Sequence, residues 1–300
     1  MNEQFADLGD ITLCYETFGD PQDPTVLLIM GLATQMIGWH EDFCARLAGR
    51  GFHVVRFDNR DSGRSTHIEA PAPTVGQLAR RSKKAAHYRL PDMADDASGL
   101  LDHLGVDRAH VVGASMGGMI AQTLAIRHPR RVLSLVSIMS NTGAQLSGQP
   151  ALAVYPVLLK AAPREREAFA EHVAKLYDRI GSPGFDRDLD EVRDLARLSY
   201  DRDHDAAASG RQLAAIIASP KRTKDLGRIT APTLVIHGKA DKLVRPSGGR
   251  AAARAIPGAR LMLIEGMGHD LPRGVWDRII DGIVDNARRA GVGVTEQTAA

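Results

Sequence analysis

The sequence predicts an α/β fold built on a mainly parallel sheet, and a few features carry that expectation. Aliphatic runs at residues 25–30, 109–112 and 132–139 and a short strand-like stretch at 53–57 alternate with stretches of helical spacing, the rhythm of strand, crossover helix and parallel strand. One of these strands passes into its helix through the tight segment Gly113-Ala114-Ser115-Met116-Gly117. The alternation stops across residues 142–226 and resumes with runs at 233–236 and 260–264, which predicts an insertion within a single sheet.

Taken in order, residues 11–18 alternate apolar and polar side chains and read as an edge strand, closed by the turn-rich 19–24. The run at 25–30 has no polar partner at every second place, so it suits a strand covered on both faces. Trp39, Phe43 and Leu47 give residues 37–50 helical spacing, with Gly51 as the stop. The strand at 53–57 ends in Asp58-Asn59-Arg60-Asp61-Ser62-Gly63-Arg64-Ser65. Arg80-Arg81-Ser82-Lys83-Lys84 has no period and reads as a solvated loop, with a weak lipid-surface contact as the alternative.

Met93, Ala97, Leu100, Leu101 and Leu104 predict a helix capped by Gly105, and Met119, Ile120 and Leu124 predict another that Pro129 ends. Inside the insertion, residues 152–159, 169–177 and 189–198 read as amphipathic helices separated by Pro and Gly. Val275, Ile279, Ile283, Val284 and Ala287 mark the apolar face of a last helix, and 291–300 read as a frayed tail. The expected organisation is a core of 1–141 and 227–300 with a helical cap of 142–226 over the carboxyl edge of the sheet.

Composition narrows the function classes. The 300 residues are 44% hydrophobic and 25% charged, with a net charge of +2, so nothing calls for a nucleic-acid partner. Residues 1–10 lack a basic segment followed by an apolar one, and the longest apolar run is too short to span a bilayer. A cytoplasmic protein without a membrane span is expected. Cys14 and Cys44 have neither metal nor redox spacing and read as buried free thiols. No metal or cofactor is expected.

The segment around Ser115 has the spacing of a nucleophile elbow. A strand that turns sharply into a helix lifts the apex side chain clear of the sheet, and its neighbours two positions away must be small. Gly113 and Gly117 meet that need and Gly118 adds room. The turn also aims the helix N-terminus at the apex hydroxyl, so backbone N–H groups face developing negative charge.

In an open parallel sheet, reactive groups collect at the carboxyl ends of the strands. Ser115, Asp241 and His269 each follow an aliphatic run at such an end. A serine hydroxyl needs a neutral imidazole to take its proton, and the imidazole needs a carboxylate to hold its tautomer. Ser115 is the expected nucleophile, His269 the base and later the acid, and Asp241 the orienting carboxylate. Gly266 and Gly268 single out His269 from ten other histidines. Asp102 and Asp107 also lie near turns, but they precede the serine and fit helix-end and loop places. His237 reads as structural and Asp270 as the N-cap of the last helix. The tetrahedral oxyanion also needs donors, and the backbone N–H groups of Met116 and Leu32 are the candidates, with Gly31 letting the second loop turn inward. Gln35, Trp39 and Tyr155 are expected to border the substrate, and Leu152, Val154, Tyr155, Val157 and Leu158 read as the lining of an acyl pocket or of a membrane-facing lid, with burial of a cap helix on the core as the alternative.

The chain resembles the α/β-hydrolase superfamily along most of its length. The resemblance rests on Leu28-Ile29-Met30-Gly31, on Arg56-Phe57 with the charged run to Ser65, on Ala109 to Gly117, and on Gly266-Met267-Gly268-His269. It looks closest to the group of aclacinomycin methylesterases and related bacterial esterases. Many relatives have His-Gly where this chain has Met30-Gly31, a change that leaves a backbone donor in place. The resemblance implies an eight-stranded, mostly parallel sheet flanked by helices, a helical cap, and an active site between them. It also implies that Asp58, Arg60, Asp61 and Arg64 form a structural ion-pair turn. The expected activity is hydrolysis of small or medium carboxylic esters through an acyl-enzyme. Polyketide-type methyl esters, thioesters, lactones and carbon–carbon bonds are the alternative substrates, and a small-ligand receptor on the same fold is the non-enzymatic one. Haloalkane dehalogenation is disfavoured, because it needs a carboxylate where Ser115 stands. Oligomeric state is left open.

Overall fold

In the computed structural model, which describes residues 2–154 and 162–291, eight strands form one sheet. They are β1 (Gln4–Asp7), β2 (Thr12–Phe18), β3 (Thr25–Ile29), β4 (His53–Phe57), β5 (Ala109–Ala114), β6 (Val132–Ile138), β7 (Thr233–Gly238) and β8 (Arg260–Ile264). Their order is β1-β2-β4-β3-β5-β6-β7-β8. β2 is antiparallel to both β1 and β4, and every later pairing is parallel.

The aliphatic strands are covered on both faces, and consecutive residues divide between two cores. Leu27, Ile29, Val111 and Leu135 pack with α3 (Leu90–His103) and α4 (Met116–Arg127). Val26, Leu28, Val112 and Val136 pack on the other face with α1 (Glu41–Ala48) and α9 (Trp276–Arg288). Two-sided burial is why these strands read as unbroken apolar runs.

The remaining helices are α2 (Val75–Ala79), α5 (Arg166–Ile180), α6 (Leu189–Arg202), α7 (Ala208–Ala218) and α8 (Ser247–Ala255). α5, α6 and α7 lie in the segment between β6 and β7, which has no strand among the described residues. Among the described residues no helix is long and apolar enough to cross a membrane.

Several expectations need correction. The sheet's edge is β1, not residues 11–18; Gln4–Asp7 was not expected as a strand because only Ala6 of it is buried. α1 starts at Glu41 rather than at residue 37, since Met36–Gly38 forms a separate 3-10 turn and His40 Nδ1 caps α1 by accepting from Asp42 N at 3.1 Å. α7 and α8 were missed, being built largely of Ala, Ser and Gly with little apolar stripe to read. The expected helix at 152–159 lies mostly outside the described residues, which retain a turn at Leu152–Val154.

Candidate active site

Ser115 sits between β5 and α4 with φ 55° and ψ −117°, a conformation that costs a non-glycine residue about 1–3 kcal/mol. The surrounding glycines make the turn possible. A Cβ on Gly113 would stand 2.1 Å from the Gly117 carbonyl oxygen, and one on Gly117 would stand 2.0 Å from the Ile29 carbonyl oxygen. The second approach matters twice, because it presses the start of α4 against the end of β3. The loop after β3 thereby reaches the serine, where a Cβ on Gly31 would lie 3.1 Å from Ser115 Cβ.

His269 arrives from the loop after β8. Its Nε2 lies 3.0 Å from Ser115 Oγ and its Nδ1 lies 2.8 Å from Asp241 Oδ2. Asp241 follows β7, and its Oδ1 accepts from the backbone of Leu243 at 2.9 Å and Val244 at 2.8 Å. Burial pushes its carboxyl up, but His269 and His237 outweigh burial and hold it down at about 2. It is therefore ionised throughout the neutral range, and it takes Nδ1 as a donor, leaving the Nε2 lone pair for the serine proton. His237, expected to be structural, donates from Nε2 to the Val244 carbonyl at 2.7 Å with Asp241 Oδ2 3.4 Å away. It thus holds the same loop that carries Asp241.

The histidine loop is fastened from outside the sheet. His269 N donates to the Ile180 carbonyl at the end of α5 at 2.8 Å, and Gly268 N donates to Ser182 Oγ at 2.8 Å. Ser182 Oγ in turn donates to Asp270. Asp270 is therefore not the cap of the last helix, whose N-cap is Val275; a side chain that early in the loop reaches Ser182 instead.

Met116 opens α4, so its N–H has no partner within the helix. Leu32 lies in the loop after β3, whose next residue, Ala33, has φ 55°. Ala33 N donates to Gln212 Oε1 of α7 at 2.9 Å, and Gln212 Nε2 donates to the Arg60 carbonyl at 2.9 Å. Sequence reasoning missed Gln212, since nothing local marks one glutamine in an alanine-rich helix as the tie between two distant loops.

Gln35 and Trp39 both line the cavity that contains Ser115 and His269. The Gln35 amide is spent on the end of α6, donating to the carbonyls of Ser199 at 2.7 Å and Asp203 at 2.9 Å. Trp39 is fully buried against Phe43. Tyr155 lies outside the described residues, as do Val157 and Leu158. Val154 is buried and Leu152 is exposed. Met30, Leu32, Met119, Met139, Phe185 and Leu271 are among the apolar side chains of the cavity wall.

Within the charged run after β4, Asp58 Oδ2 accepts from the backbone of Arg64 at 3.1 Å, but the charged side chains pair with residues elsewhere. Asp58 binds Arg202 of α6 and Asp61 binds Arg211 of α7, while Arg60 binds Asp96 and Arg64 binds Glu3. Each of the four residues of the expected structural ion-pair turn is ion-paired, but with long-range partners that no local pattern specifies. Asp61, His67 and Asp205 come close enough to hold an ion. Both carboxylates already pair with Arg211, which supplies the positive charge there.

A sequence profile described as the alpha/beta hydrolase fold matches residues 24–272. The chain belongs to the alpha/beta hydrolase fold family. This hydrolase is 32% identical over 305 residues to rhodomycin D methylesterase DauP of a Streptomyces species, covering 94% of this chain and 97% of that protein. It is 27% identical over 256 residues to 3-oxoadipate enol-lactonase 2 of Acinetobacter baylyi, covering 85% of this chain and 86% of that protein. Among solved structures, the enol-lactonase of Burkholderia xenovorans superposes with a TM-score of 0.74 at 24% identity, covering 95% of this chain and 100% of that one, a likeness of fold.

Proposed function

We propose that the protein is a serine carboxylesterase acting through an acyl-enzyme, with Ser115 as nucleophile, His269 as general base and acid, and Asp241 as orienting carboxylate. The observation that carries this reading is the hydrogen-bonded chain of 3.0 Å and 2.8 Å from Ser115 through His269 to Asp241. His269 Nε2 takes the hydroxyl proton as Ser115 Oγ attacks the ester carbonyl. The oxyanion that forms accepts from the N–H groups of Leu32 and Met116, and the start of α4 adds its dipole. His269 then protonates the leaving alcohol, and water reverses the sequence to release the acid. Residues 142–226 act as a cap that closes the cavity over the serine. Its hold on the core through Arg202, Arg211 and Gln212 supports that role.

Esters are favoured over the other bonds that this chemistry can cleave by the 32% identity to a rhodomycin D methylesterase over most of both chains. A methyl ester on a polyketide-type acid is the corresponding substrate reading. Lactone opening uses the same steps and is the second reading, on the similarity to an enol-lactonase.

The test is turnover of p-nitrophenyl butyrate together with labelling by a serine-directed phosphonate. Wild-type protein should turn over the ester and carry the label on Ser115, and Ser115→Ala should do neither while keeping its melting temperature. Absence of both turnover and labelling in the wild type would overturn the esterase reading in favour of a ligand-binding protein.

A further inference from the structure

Arg56, Arg202, Arg211 and Arg222 are all buried. Arg56 pairs with Glu16, Arg202 with Asp58 and Glu3, and Arg211 with Asp61 and Asp205. Arg222 differs, forming no ion pair among the described residues. Its Nε donates to Gln122 Oε1 at 3.2 Å and its Nη2 to the Asn141 carbonyl at 2.9 Å, both neutral acceptors. Its Nη1 has no acceptor among the described residues and lies beside Gly143, 3.7 Å from where a Cβ there would stand. Burial pushes the guanidinium down to about 10, with no acidic neighbour acting against it. Holding a guanidinium out of water without an opposite charge is strongly unfavourable, and the other buried arginines avoid it.

The location of Arg222 suggests where the missing charge comes from. The residue lines the same cavity as Ser115 and His269. Its backbone N donates to the Thr142 carbonyl at 2.9 Å, which sets it beside the carboxyl end of β6. Ser140, at that same strand end, donates from Oγ to the Ser115 carbonyl at 2.8 Å. Gln122 and Asn141 hold one edge of the guanidinium in place and leave Nη1 free to donate.

We propose that Arg222 forms a carboxylate-binding subsite of the substrate cavity, so that the preferred esters carry a second, ionised carboxylate away from the bond cleaved. The fixed guanidinium supplies a charge-assisted hydrogen bond, and the substrate supplies the counter-ion that none of the described residues provides. The substrate part of this proposal rests on the esterase reading, whereas the binding part does not.

The experiment compares monomethyl esters of straight-chain dicarboxylic acids, across a series of chain lengths, with neutral methyl esters of the same length. At the best length, wild type should favour the charged ester in kcat/KM by on the order of ten- to a hundred-fold, the range of a hydrogen bond to a charged group. Arg222→Met should bring the two esters near parity, the charged ester losing its advantage; should it fail to fold, Arg222→Gln is read in its place. No preference in wild type at any length, or an equal fall for both esters in the variant, overturns the subsite. Calorimetric titration with the free dicarboxylic acids separates the two readings. Binding to wild type that Arg222→Gln abolishes upholds the subsite even if no ester is turned over, and absence of binding overturns it.

Discussion

Replacing Arg202 with Met should expose how the segment between β6 and β7 is fastened to the core. The guanidinium donates to Glu3 Oε1 at 2.8 Å, to Asp58 Oδ2 at 2.8 Å and to the Gln35 side chain, and Asp58 is fully buried. Removing one partner of a buried ion pair costs about 3–5 kcal/mol, because the other charge stays behind. Asp58 would keep the backbone donors of Met36 at 2.6 Å and Arg64 at 3.1 Å, which places Arg202→Met near the lower end, at about 3 kcal/mol. For a chain of 300 residues that is a fall in melting temperature of roughly 5 °C. Burial already pushes the Asp58 carboxyl up, against the pull of Arg202. Without Arg202 it rises further, so the variant's deficit is largest above that raised pKa and shrinks as pH falls and Asp58 takes a proton. Urea unfolding followed by circular dichroism, across a pH series from neutral down to the onset of acid unfolding, measures both effects. The double variant Arg202→Met with Asp58→Asn should be more stable than the sum of the single losses by about 2 kcal/mol. A loss below about 1 kcal/mol, strict additivity, or a deficit that does not change with pH would refute the reasoning.

Asp241→Asn should lower kcat by about 10⁴-fold at unchanged fold, since an amide favours the wrong His269 tautomer; steady-state kinetics with p-nitrophenyl butyrate checks it. In the wild type, the depression of the Asp241 carboxyl from 3.8 to about 2 contributes about 2 kcal/mol of stability. That contribution is complete above about pH 4 and is lost as pH falls through about 2, which acid unfolding with and without Asp241→Asn would show. Gln212→Leu should loosen the loop that presents Leu32, lowering kcat by about ten-fold or more with little change in KM. Affinity for a boronic acid that mimics the tetrahedral state should fall in parallel; a change in KM alone would mark Gln212 as a merely structural contact.

The fold and the reactive groups were legible to different degrees, for physical reasons. A strand covered on both faces must be apolar throughout, so β3, β5, β6 and β7 were readable from their own residues. The turn at Ser115 was readable because its small residues recur within five residues of chain; Gly113 has no space for a Cβ beside Gly117, and Gly117 has none beside Ile29 of β3. β1, α7 and α8 were not legible, because their places come from neighbours on the folded chain and not from any strong pattern of their own.

The sequence by itself determined that an elbow serine, a later aspartate and a later histidine each follow a strand of a parallel sheet, in that order. Local steric and hydrophobic rules act over a few residues, and such rules are sufficient to specify that order. Only the tertiary structure decided that Asp58 and Asp61 bind α6 and α7, that Asp270 binds Ser182, and that Gln212 supports the Leu32 loop. It also decided that Arg222 is buried at the cavity without a carboxylate partner among the described residues. Each of these depends on charges and amides brought together across dozens of residues or more, and a hydrogen bond of that span leaves no trace in the local spacing of the chain.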